Sequence, residues 1–292
     1  MTGADAVGAA ALGYEVVVSA PIPLALEDLT PDGQPRGWAP LSTTLVFGAR
    51  DAALIDPPLT AAQAEAVGDR VAARGKRLTH IVITHAHGDH WFTAAALAER
   101  FPGVQVVAAA GTIAQMHRTV AAREAFWDVV LPAQIPSSPV IAVAVPGNRI
   151  ELDGHEVAIV EVGHSDTDDT TVVHVPALGL VIAGDVVYDG VHPFLVESAG
   201  EGRDAWRRAI DLVERLHPRR VVAGHSRPGL DHDAVRPVVE TRRYLDDVDE
   251  LLPRHSSAAD FFTAMRERHP DRLGVSTLWG SASALYAGPP SD

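Results

Sequence analysis

Apolar side chains recur along most of the chain in two rhythms. One has a period of two, as strands do, and the other a period of three to four, as amphipathic helices do. Strand-type runs fall at residues 14–19, 43–47 and 52–55, separated by proline-rich loops. Residues 60–74 have helical spacing with Thr60 placed to cap them. A β-branched stretch at 78–83 predicts a buried strand, 91–100 a helix and 104–107 a further strand. The regularity breaks over residues 112–139, which carry Met116, Phe126 and Trp127 and then Pro132, Pro136 and Pro139. This predicts a helical insertion and a proline-rich loop, either a packed surface hairpin or an apolar lid over a site. Strand patterns resume at 140–145, 150–152, 155–162, 171–175 and 180–183, followed by a helix at 203–216 and a strand at 220–223. Past Asp231 the pattern turns helical. Asp231 can cap a helix running to Leu252, and shorter helices follow at 258–267 and 275–286.

Strands and helices, an interruption, then strands and helices again predict an α/β fold. Its layers are αββα, two mixed sheets packed together and flanked by helices. Residues 1–12 read as a loose tail. Residues 13–292 read as a single domain, with the insertion at about 112–139 and a helical carboxyl-terminal segment from about 231.

Composition narrows the chemistry. The apolar fraction of 47% suits a buried core, and the chain has no cysteine. Disulfides, thiolate-held zinc, iron–sulfur clusters and a thiol nucleophile are therefore excluded. A formal net charge of -14 disfavours nucleic acid and anionic membranes as partners. Lys76, the only lysine, lies outside every motif, which leaves Schiff-base chemistry a single remote candidate. No basic residue precedes Arg36, so the apolar stretch at 9–20 lacks the positive flank of a secretory signal. No window reaches the apolar length of a membrane span. A cytoplasmic protein acting on a small molecule is expected, and the apolar run at 278–286 would pack on the core or pair subunits.

One run points to a particular chemistry. Thr84-His85-Ala86-His87-Gly88-Asp89-His90 sets three imidazoles and a carboxylate between a predicted strand and a predicted helix. No packing rule asks for that density, whereas zinc and similar divalent ions accept both donor types. The strand's carboxyl end is also where open α/β sheets place their sites. Three further strand ends deliver ligand-type residues beside a glycine: His164 after Gly163, Asp185 after Gly184 and His225 after Gly224. Among the other histidines, His80 reads as a core or supporting residue. His155 and His174 lie in strands, and His117, His217, His232, His255 and His269 read as surface. His192 follows the Asp185 loop closely enough to line a pocket.

The Asp56 turn, the His85-x-His87-x-Asp89-His90 loop, His164, Asp185 and His225, in this order, resemble the metallo-β-lactamase-fold superfamily of metallohydrolases. The resemblance implies two divalent ions, zinc first, with iron, manganese or cobalt also acceptable. His85, His87 and His164 would hold one ion and Asp89, His90 and His225 the other. Asp185 and a hydroxide would bridge them, Asp89 would orient the nucleophile and Asp56 would steady the loop. Tyr188, three residues after Asp185, is similar to a substrate-contacting tyrosine of the lactonase branch. A hydrolase for a carbonyl ester, lactone or thioester follows as the expectation. The alternatives are a β-lactamase-like amidase, a mononuclear iron persulfide-type oxygenase and a non-catalytic binding protein. The lysine-poor carboxyl end offers no evident basic clamp for glutathione.

Overall fold

The computed structural model describes residues 11–287, and residues 1–10 of the expected tail lie outside them. The first sheet has the order Gly13–Ser19, Leu41–Phe47, Asp51–Ile55, Arg77–Val82, Gln105–Ala108 and Val143–Ala144. Its first three strands are antiparallel and the remaining pairings parallel. The second sheet runs Arg220–Val222, Leu180–Ile182, Thr170–Val175, His155–Gly163 and Arg149–Leu152. It is antiparallel apart from the pairing of 180–182 with 220–222.

Strand alternation explains how the layers stack. Ala53, Ile55, Val82 and Val107 point into the space between the sheets, where they meet Val157, Ile159, Val173 and Ile182. The intervening Ala52, Leu54 and Ile81 face outward onto Val67 and Val71 of the helix Ala61–Ala73 and Leu97 of the helix Ala94–Arg100. On the other side Val172, Val181 and Val221 pack under Trp206, Ile210 and Val213 of the helix Glu201–Arg215. The result is the expected αββα sandwich. Thr60 caps its helix through a reciprocal pair with Gln63, as the spacing predicts.

Some local expectations change. Of the run at 140–145 only Val143–Ala144 pairs, at the sheet edge, before Pro146 ends it. Asp233 rather than Asp231 accepts from the backbone N–H groups of Val235 and Arg236 at the start of the helix Arg236–Leu251, because Asp231 is drawn to the Arg236 guanidinium. In the 112–139 segment, Met116 of the helix Ala110–Ala122 is fully buried in the outer core, so it is not part of an apolar wall facing a site. His269 is half-buried against Tyr244 and Asp247 instead of lying on the surface. The last helix, Val275–Ala287, buries Leu278 and Ala282 in the core that also holds Phe261 and Phe262 of the helix Ala258–Arg268. Among the described residues no helix is long and apolar enough to cross a membrane.

Candidate metal centre

The site lies where the strands Arg77–Val82, Leu180–Ile182 and Arg220–Val222 end. After the first, the chain makes a tight turn, Gly88–His90, before the next helix begins at Ala94. Gly88 is required there, since a Cβ would sit 2.2 Å from a ring carbon of Phe92. A Cβ on Gly224 would sit 2.1 Å from Asp185 Oδ1. Glycine at 224 therefore allows the Asp185 and His225 loops to meet.

Four of the expected residues converge closely. His90 Nε2 is 3.3 Å from Asp185 Oδ1, and His225 Nε2 is 3.3 Å from both Asp185 Oδ2 and Asp89 Oδ2. His90 Nε2 is 3.7 Å from Asp89 Oδ2. Beside them, His87 Nδ1 and His85 Nε2 lie 2.7 Å and 3.7 Å from a carboxylate oxygen of Asp166. His164 is not brought to His85 and His87. Its Nδ1 lies 2.7 Å from Asp168 Oδ1 and its Nε2 3.2 Å from Ser198 Oγ. A register shift between Glu161 and Gly163 accompanies a left-handed Gly163, and such a bulge re-aims the side chain that follows.

The outward nitrogen of each converging imidazole is engaged. His225 Nδ1 faces the carbonyl of Pro40 at 2.7 Å, and His90 Nδ1 faces Asp56 Oδ2 at 3.1 Å. His87 Nε2 faces Glu197 Oε1 at 3.1 Å. His85 Nδ1 is 3.0 Å from Thr84 Oγ1, whose hydroxyl donates to Asp56 Oδ2. Carbonyl and carboxylate oxygens only accept, so these outer nitrogens carry protons and the inner ones of neutral rings present lone pairs. Asp56 is buried and sits at a φ of 52°, a left-handed conformation that costs about 1 kcal/mol or more outside glycine. Its contacts to Thr84 and His90 hold it there.

The inner atoms test whether a cation fits. His85 Nε2, His90 Nε2, Asp166 Oδ2 and Asp185 Oδ1 are buried without a hydrogen-bond partner of acceptable geometry. Lone pairs of buried rings aimed at buried carboxylates repel unless a proton or cation lies between them. The electrostatics show the same demand. Burial alone would lower the His90 and His225 pKa values. The Asp185 and Asp89 carboxylates outweigh it, holding His90 well above its ordinary value and His225 up at about 10. Burial likewise lowers His87, but Asp166 and then Glu197 raise it well above the ordinary range. His85 stays low through burial and the neighbouring His90. Burial pushes Asp89 and Asp185 upward, and the facing imidazoles carry both well below the carboxylate range. A cation can replace those shared protons.

Tyr188 is buried with its hydroxyl donating to Asp185 Oδ2, and its ring stacks on His225 at 5.5 Å. Burial and then Asp185 raise its pKa well above the ordinary value. Over the centre lies a cleft of about 420 Å³ floored by His87, Asp89, Asp185 and His225. The insertion supplies one wall through Phe126 and Trp127, clustered with Trp38 at ring separations of 4.9 Å to 6.4 Å. Phe194 and Val196 form the other. His192 lines the cleft as well, fully buried, with Nδ1 on Tyr244 and Nε2 unpartnered. Sequence reasoning missed Trp38, whose indole Nε1 donates to Asp89 Oδ2 at 2.9 Å, and also Glu197 and Asp166. Asp166 did carry a signal, since it stands two residues from His164 as His87 stands two from His85.

Residues 36–225 match the family model of the metallo-beta-lactamase superfamily. A hydroxyacylglutathione hydrolase from Rhizobium meliloti (strain 1021) is 31% identical over 124 residues, which span 41% of this chain and 38% of that protein. Among solved structures, a metallo-beta-lactamase family protein from Thermus thermophilus superposes with a TM-score of 0.64 at 18% identity, covering 92% of this chain and 91% of the other. A beta-lactamase domain protein from Burkholderia ambifaria gives 0.63 at 16% identity over 94% and 84%. These likenesses show the fold, and this fold family implies divalent metal ions, for which the buried donors described above are suited. The chain belongs to the metallo-beta-lactamase superfamily.

Proposed function

We propose that the chain is a metal-dependent hydrolase that uses two divalent ions to cleave a carbonyl ester, lactone or thioester with an apolar acyl part. One observation carries the reading: buried, unpartnered nitrogens and oxygens converge at the floor of an apolar cleft. His85 and His87 would serve one ion, Asp89, His90 and His225 the other, with Asp185 between them. When bound, such ions bring the pKa of a water toward neutrality and polarise a carbonyl oxygen. Zinc suits these donors, and iron, manganese and cobalt also accept them.

The chain's own groups do the rest. Asp89 stays ionised beside His90 and His225 and is fixed by the Trp38 indole, so it can accept a hydrogen bond from a water and orient it. The Tyr188 hydroxyl keeps its proton at neutral pH and steadies Asp185. This contact supports a positioning role ahead of the direct substrate contact implied by the lactonase resemblance. Phe126, Trp127 and Phe194 exclude water and seat the acyl group. Arg36 is the one guanidinium on the cleft wall among the described residues, and it is paired with Asp28. A neutral, apolar substrate fits this wall better than a glutathione conjugate, while the hydroxyacylglutathione hydrolase relative keeps thioesters in the class.

The test is a panel of esters, lactones, thioesters, phosphodiesters and the β-lactam nitrocefin, run with zinc-loaded and chelator-treated protein. The highest kcat/KM is expected on esters or lactones with apolar acyl groups, with loss on chelation. Phe126→Ala, at a residue 46% exposed, should raise KM for long acyl chains about 5-fold and leave kcat nearly unchanged. A preference for nitrocefin or a phosphodiester would overturn the reading.

A further inference from the structure

We propose that Asp166, and not His164, completes the donor set of the ion held by His85 and His87. The inference rests on the two-ion reading above and concerns which residue of the loop after the strand His155–Gly163 reaches that ion.

Position comes first. Asp166 is fully buried, and its Oδ2 lies 2.7 Å from His87 Nδ1 and 3.7 Å from His85 Nε2. One donor atom from each of these three residues lies within 4.8 Å of the others, close enough to share one cation. The closest contact is not a well-formed hydrogen bond, since Oδ2 remains without a partner of acceptable geometry. The two carboxylate oxygens have separate tasks. Oδ1 accepts from Ser165 Oγ at 2.8 Å, which orients the group and leaves Oδ2 for the cation.

His164 is already committed. Asp168 and Ser198 occupy its two ring nitrogens, and Ser198 Oγ donates in turn to the Ser165 carbonyl at 2.6 Å. The chain of Gly202 backs the ring, where an added Cβ would lie 3.0 Å from His164 Nε2. His164 thus braces the loop that presents Asp166. His87 has its own outer support in Glu197, whose Oε2 also accepts from Thr167 Oγ1 at 2.7 Å, in the same loop.

The chemical consequence is symmetry. Each half would present two imidazoles and one terminal carboxylate and share Asp185. The three carboxylates make a harder, more anionic set than three imidazoles on one side would, and they widen acceptance toward manganese and iron.

Metal stoichiometry by plasma mass spectrometry and the visible spectrum of cobalt-loaded protein test this without reference to activity. Wild type should hold two ions per chain. Asp166→Asn should hold one, the second binding at least about 100-fold more weakly. His164→Ala should hold two with an unchanged cobalt spectrum. Asp166→His restores a donor and should hold two with a shifted spectrum, which keeps the test decisive if Asp166→Asn misfolds. Circular dichroism verifies folding of each variant. Two ions retained in Asp166→Asn, an ion lost from His164→Ala, or an unshifted spectrum in Asp166→His would overturn the assignment alone. Wild type holding fewer than two ions would overturn the two-ion reading together with it.

Discussion

The two halves of the centre were built by different kinds of loop. Asp89 and His90 lie in the tight turn Gly88–His90, within the connection from the strand Arg77–Val82 to the helix Ala94–Arg100, and His225 follows a glycine that permits close approach. There the spacing of the sequence and the positions in space coincide. The half around His85 and His87, which lie on that same connection, depends also on a second loop, residues 164–169, entered through a bulge at Glu161 and Gly163. That loop carries four residues able to bind a metal, His164, Asp166, Asp168 and Asp169, and its backbone decides which one faces inward. A tight helical turn fixes where its side chains point, while a bulged loop leaves several candidates whose order depends on one register shift.

The largest effect should come from the residue common to both halves. Asp185→Asn puts a neutral amide in place of the carboxylate that faces His90 and His225 and accepts from Tyr188. We expect kcat/KM on the best ester to fall on the order of 1000-fold or more, with an unchanged circular dichroism spectrum. A loss under about tenfold would mean that the halves do not meet at Asp185.

Next come the outer partners, which differ between the halves as the loops do. Asp56 is buried and binds both Thr84 and His90, whereas the Glu197 side chain is 48% exposed and reaches only His87 among the four imidazoles. Asp56→Asn should weaken zinc binding about 100-fold and destabilise the fold by about 1–3 kcal/mol. Glu197→Gln should weaken binding about tenfold or less, with little change in stability. Competition against a chromophoric chelator and thermal melts give both numbers. If the Glu197 variant suffered more, the open half would be the tighter one and the contrast between the loops would reverse.

Most of the layering was legible because strand alternation is local. Ala53 and Ile55 face one way, Ala52 and Leu54 the other, and four side chains suffice to assign two core interfaces. That His90, Asp185 and His225 would approach one another was legible because each stands shortly after the end of a strand on one edge of the sheets. The residues that escaped are those whose role depends on distant chain. Trp38 reaches Asp89 from a two-residue strand, the Pro40 carbonyl receives His225 through backbone alone, and Glu197 arrives from a loop. Asp166 sits in an Asp-rich run that reads equally as turn caps. Met116 misled for the converse reason: helical spacing says that one face is apolar and does not say whether that face meets the core or the cleft.

The smallest effect separates bracing from binding. Asp168 is 71% exposed at its side chain and pairs with His164 at the rim. Exposed ion pairs contribute about 0–1 kcal/mol, so Asp168→Ala should shift stability by no more than that. Zinc stoichiometry should stay at two, and kcat/KM should remain within about twofold of wild type. The pair then only trims the loop, and Ser198 suffices to hold His164 away from the ions. If removing Asp168 raised zinc affinity instead, His164 would be competing with Asp166 for the same place. The bulged loop would then hold two alternative ligands in balance, a state that the tight turn at Asp89 and His90 does not permit.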